Sequence, residues 1–136
     1  MKYNLGKIKN IVITVRKSKY WNFVSGFWTG ADIMIKWAKK LYFSSDMKQT
    51  KKNRLIRAIE KGELTYEVYC ITFASNPHNL FDIINANELL FPYYARQEIT
   101  VLGLAGSRGQ AKLLVKDMLE EIYNKTGDFR VREYFA

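Results

Sequence analysis

Hydrophobic and polar residues change their spacing several times along this chain, and each change predicts an element. From Ile8 to Val15, Ile11, Ile13 and Val15 occupy alternate positions among β-branched neighbours, the period of a strand, and Arg16-Lys17-Ser18-Lys19 ends the run. From Tyr20 to Phe43 the polar residues Asn22, Ser25, Thr29, Asp32, Lys36 and Lys39 recur at spacings of three or four, which predicts a helix with one polar stripe and an otherwise apolar circumference. Ser44-Ser45-Asp46 breaks that pattern, and Ser44 to Lys52 is the one stretch open to disorder. A second helix then runs from Thr50, its cap, to Lys61, with Leu55, Ile56 and Ile59 as apolar contacts and Gly62 as its stop.

The second half reads as alternating strand and helix. Tyr66 to Ala74 and Ile99 to Ala105 are nearly continuous apolar runs, as expected of strands covered on both faces in a parallel sheet. Between them Asn76-Pro77 marks a turn, Phe81 to Ile84 adds a short strand, and Glu88 to Ala95 turns helically despite Pro92. Ser107 with Gln110 forms a capping box for a helix whose apolar face is Ala111, Leu114, Val115, Met118, Leu119 and Ile122, closed by Gly127. Asp128 to Phe135 follows as a strand, with Phe129 and Val131 alternating with Arg130 and Arg132. Strand, helix and strand in that order imply a right-handed crossover. The expected fold is a single α/β domain over residues 1–136, a mostly parallel sheet including Phe129 to Tyr134 and flanked by helices, with α+β as the competitor.

Composition narrows the class. At 136 residues and 48% hydrophobic, with two Pro and eight Gly, the chain fits one compact folded unit rather than a linker or a disordered segment. Cys70 is the only cysteine, which excludes an internal disulfide and a thiolate metal cluster and fits a reducing compartment, here the cytoplasm. The N-terminal stretch has too short an apolar run for a signal peptide and reads as mature sequence. Tyr20 to Ala38 is interrupted by Asp32 and Lys36, which argues against a transmembrane segment. A composition rich in Lys, Ile, Asn and Tyr points to a bacterial source.

Charge changes the picture more. The net charge is +9, and it is divided: residues 1–61 hold 15 Lys and Arg against 3 Asp and Glu, and residues 62–136 hold 7 against 10. The basic half also holds all three Trp. Lys48, Lys51, Lys52, Arg54, Arg57 and Lys61 concentrate the charge, with Arg54, Arg57 and Lys61 on one helix face, so a row of phosphates is the matching partner. A solvated charged face is the structural alternative. Helix-turn-helix, zinc-ligand and ribonucleoprotein patterns are all absent.

Two further features hold candidate chemistry. The turn Gly103 to Gly109 joins a strand to a helix N-terminus, where Gly106, Ser107, Arg108 and Gly109 form a candidate anion site; the glycine spacing is neither that of a dinucleotide fold nor of a P-loop, and a tight turn without a ligand is the leading explanation. His78 is the only histidine, so a catalytic dyad would need Cys70, and a metal site would need Asp82 and Glu88; neither spacing matches a known arrangement. No cofactor is implied. Trp21, Trp28 and Trp37 cannot share one face of a helix, so at least one is expected at a homo-oligomer or partner contact. The expected function is a small binding protein, not an enzyme, whose basic half meets an anionic partner, nucleic acid ahead of a membrane surface. A small enzyme or a metabolite- or nucleotide-binding domain using the glycine turn, and a subunit of a larger assembly, are the alternatives.

Overall fold

The computed structural model describes residues 13–15, 34–94 and 97–136. The 16–33 stretch, with Trp21, Trp28 and most of the predicted aromatic helix, lies outside the described residues, as do residues 8–12 of the first predicted strand and Ala95. In chain order the elements are β1 (Ile13–Val15), β2 (Met34–Phe43), α1 (Gln49–Glu60), β3 (Tyr69–Phe73), β4 (Phe81–Asn85), two 3-10 turns (Ala86–Leu90 and Pro92–Tyr94), β5 (Glu98–Ala105), α2 (Arg108–Thr126) and the four-residue helix α3 (Val131–Tyr134).

The strands form one sheet in the order β1-β4-β3-β5-β2, an α/β arrangement with helices on both faces. It is mixed rather than mostly parallel. β1 and β4, and β2 and β5, pair in parallel, whereas the central β3 runs antiparallel to both β4 and β5. The 74–80 connection explains the first antiparallel pair, since a parallel return needs a crossover of a dozen or more residues and this loop is far shorter. The apolar runs in β3 and β5 therefore report coverage on two faces, not strand direction. On one face Ile71, Phe81, Ile83 and Leu102 meet Leu114, Val115, Met118, Leu119 and Ile122 of α2; on the other Cys70, Ile84, Val101 and Leu104 meet Leu55 and Ile59 of α1 and Leu89 of the first 3-10 turn. Each fully buried Val, Leu, Ile, Phe or Met among them contributes about 1.5–3 kcal/mol of burial free energy. A bulge in β5, where Val101 faces Thr72 but Gly103 faces Ile71, inserts Leu102 into the ladder.

Four further sequence expectations are corrected. Residues 34–43 of the predicted Tyr20–Phe43 helix form a strand, β2. Its pairing with β5 slips between Trp37 and Tyr42, and this irregularity places Lys36 and Lys39 three apart on the exposed side, a spacing that imitates a helical stripe. Lys36 pairs with Glu98 across the sheet at 2.9 Å. The predicted strand Phe129 to Tyr134 instead contains α3, so no crossover follows α2. Asp128 takes the Arg130 backbone N–H on its carboxylate at 3.1 Å, Tyr134 and Phe135 donate back to the carbonyls of Arg130 and Val131, and Phe129 stacks on Tyr123 at 5.2 Å. Two alternations are too few to separate a strand from a turn. Finally, Thr50 lies inside α1, which starts after Lys48 with no side-chain cap. Ser44 to Lys52 is ordered: Ser44 is buried, and its backbone N–H reaches the Leu104 carbonyl at 3.0 Å.

Candidate nucleic-acid interface

α1 is held by its narrow apolar edge. Leu55 and Ile59 are buried, Ile56 is half-buried, and the remaining circumference is polar. At about 100° per residue Arg54, Arg57 and Lys61 fall within about 60° of one another and about 100° or more from the buried edge. All three are exposed, as is Lys48, whereas Lys51 and Lys52 are half-buried and the Lys52 ammonium lies 4.5 Å from the centre of the Phe43 ring. Among the described residues none of the six meets a carboxylate. The ion pairs present join Lys36 to Glu98, Lys40 and Lys125 to Glu121, Lys116 to Glu120, and Arg130 to Asp128 and Glu133.

The charge also runs against the helix. Unpaired N–H groups and the aligned peptide dipoles make a helix N-terminus positive, so cations in the first turn are unfavourable and anions favourable. α1 has no acidic residue in its first turn, Lys48 stands at its cap position, and Lys51 and Lys52 follow. An anion beside that end would meet the N–H groups and the lysines together.

The Gly103–Gly109 turn is organised differently from its expectation. Ser107 caps α2, its hydroxyl accepting the Gln110 backbone N–H at 3.1 Å, and Arg108 and Gly109 are exposed. The Gly106 backbone N–H donates to the Ser44 hydroxyl at 3.1 Å, and that hydroxyl donates to the Asp46 carboxylate. A Cβ on Gly106 would lie 2.6 Å from the other Asp46 oxygen, so the protein's own carboxylate closes over the turn, and a phosphate there would meet a negative charge. Ser44 and Asp46 come from a segment that sequence reasoning had assigned no role.

Cys70 and His78 are not brought together. Cys70 is fully buried on β3, where burial pushes its thiol up to about 12, and His78 is exposed in the β3–β4 loop. Asp82 is buried and accepts the Ser75 backbone N–H at 3.1 Å, Glu88 is buried in the first 3-10 turn, and no cluster of three or more His, Cys, Asp or Glu able to hold a metal occurs among the described residues. A cavity of about 290 Å³ is lined by Thr72, Asp82, Tyr94 and Arg132; Arg132 already donates to the Ala74 carbonyl and lies 4.7 Å from the Phe73 ring centre. Trp37 packs half-buried against the α1 side of the sheet, and no described helix is long and apolar enough to cross a membrane.

One exposed feature was missed. Tyr66, expected to begin a strand, lies outside β3 and is 85% exposed, and Leu64 is 66% exposed. No family model, curated protein or solved structure matches the chain.

Proposed function

We propose that this protein is a non-catalytic nucleic-acid-binding protein that uses the outer face of α1 to engage a phosphate backbone. The observation that supports this most is the polarity of α1: lysines crowd its positive end and Arg54, Arg57 and Lys61 line its outer face without carboxylate partners. Such an arrangement lowers the intrinsic stability of the helix, and phosphates are the groups that would turn the cost into affinity. The Gly106 turn is the weaker site because Asp46 already lies against it.

Anisotropy titrations of a labelled oligonucleotide across salt concentration test the reading. Three phosphate contacts predict a slope of log K against log salt of roughly −2 to −3. Arg54→Glu with Arg57→Glu should flatten that slope and leave unfolding midpoints nearly unchanged, since both side chains point away from the core. Absence of binding by the unmutated protein at low salt, or binding to anionic vesicles instead, refutes it.

A further inference from the structure

The segment between α1 and β3 is built to hold two apolar side chains in water. At its start Glu63 donates its backbone N–H to the Ala58 carbonyl at 2.9 Å, folding the chain back from the end of α1. Asn87 then grips Thr65: its side-chain oxygen accepts the Thr65 backbone N–H at 2.7 Å and the hydroxyl at 3.1 Å, and its amide donates to the Thr65 carbonyl at 2.7 Å. Asn87 is itself fixed, its backbone N–H bonding the Asn85 side chain at 2.9 Å. Glu67 follows at φ +45°, left-handed backbone that a side chain adopts only at a cost. The outcome is a pinned loop with Leu64 and Tyr66 turned outward on either side of the gripped residue. A ring that exposed forgoes burial that its neighbours elsewhere in the chain obtain.

We infer that Tyr66 is a stacking platform for an unpaired base, so that the strand followed by the cations of α1 is single-stranded nucleic acid; this rests on the proposed role of α1. Two observations select this partner. Lys61 and Tyr66 are five residues apart, which limits their Cα separation to at most about 18 Å, so one strand reaches both. Tyr66 is 85% exposed on the pinned loop with its ring face open to a base, and the exposed Glu63 and Glu67, its neighbours in sequence, disfavour a phosphate contact there. Base faces are hidden inside a duplex and open in a single strand. Pinning by Asn87 lowers the ordering entropy that binding would otherwise require.

The test compares a 20-nucleotide oligothymidine with a 20-base-pair duplex, for the full-length protein and for Tyr66→Ala, Tyr66→Trp and the Arg54→Glu/Arg57→Glu pair. The single strand should bind more tightly than the duplex. Tyr66→Ala should weaken the single-strand complex about tenfold without changing its salt slope, Tyr66→Trp should retain or strengthen it, and the double charge reversal should flatten the slope. Tyr66 is too exposed for its replacement to unfold the chain, and unchanged melting checks this. If charge reversal weakens binding while Tyr66→Ala does not, or if duplex binds as tightly as single strand, the stacking role is overturned and the α1 reading stands. If neither oligonucleotide binds, both fall.

Discussion

The two long helices lie on opposite faces of one sheet and are built to different ends. α2 begins with the Ser107 hydroxyl on the Gln110 N–H, buries a row from Ala111 to Ile122, and ends with Lys125 in its last turn and Gly127 at φ +78°. Two of its four cations are paired at one helical turn, Lys116 with Glu120 at 3.9 Å and Lys125 with Glu121 at 3.4 Å, while Arg108 and Lys112 meet no carboxylate among the described residues. α1 has no side-chain cap, three lysines at its positive end and an outer face of unpaired cations. Neither helix has an acid in its first turn and both carry cations there, Arg108 on α2 and Lys51 and Lys52 on α1, but α2 also meets that end with a hydroxyl acceptor, which α1 lacks. Each device on α2 adds a few tenths to about 1 kcal/mol, so the difference measures how far stability is subordinate on α1. A helix that forgoes these and keeps its cations free is best understood through what those cations contact.

The comparison can be broken first in the core. Met118→Ala, at a fully buried site on α2, should destabilise by about 2–5 kcal/mol in urea titration; a smaller loss would mean that α2 packs less tightly than its burial indicates. Next comes the clasp around Glu121, whose carboxylate takes the Lys40 ammonium at 2.8 Å, the Tyr42 hydroxyl and the Tyr134 hydroxyl at 3.1 Å, joining β2, α2 and the C-terminal residues. The Lys40 hydrogen bond, then that of Tyr42, holds this carboxyl down at about 2, below its ordinary 4.5. Because the folded value is the lower one, the stabilisation is complete above about 4.5 and is lost as pH falls towards 2. Glu121→Gln should cost about 1–3 kcal/mol at neutral pH, and thermal melts across acid pH should show the gap from the unmutated protein closing.

A smaller effect separates the two glycines of the turn. Gly106→Ala drives a methyl into the Asp46 carboxylate and should cost about 1 kcal/mol by disturbing its bond with Ser44, whereas Gly109→Ala meets nothing within 4 Å and should be neutral or slightly stabilising. Equal melting temperatures for the two variants would show that the Asp46 contact carries no energy. The smallest effect returns to α1. Lys51→Glu puts an acid in the first turn and should raise stability by about 0.3–1 kcal/mol at low salt while weakening oligonucleotide binding. Such opposite signs in one substitution would be direct evidence that α1 gives up stability for its charge; a loss in both would refute the comparison.

How much was legible in the chain itself depended on the range of the interactions concerned. The cap at Ser107, the apolar row of α2, the glycine stops, the β4 strand and the charged face of α1 are local: propensity, capping geometry and the 3.6-residue period act within a few residues, and the sequence by itself determined them. Coverage of β3 and β5 on both faces was likewise legible from their apolar runs. Strand direction was not, because a strand covered by two layers shows the same run whether its neighbours are parallel or antiparallel. The tertiary structure alone decided that β3 runs against both partners, that residues 34–43 are a strand paired with β5, and that Val131 to Tyr134 turns instead of extending. It alone brought Asp46 over Gly106 and Asn87 onto Thr65, contacts between residues 60 and 22 positions apart. Pairing register and loop anchoring are settled by partners distant in sequence, and no short window of the chain contains both sides of such a contact.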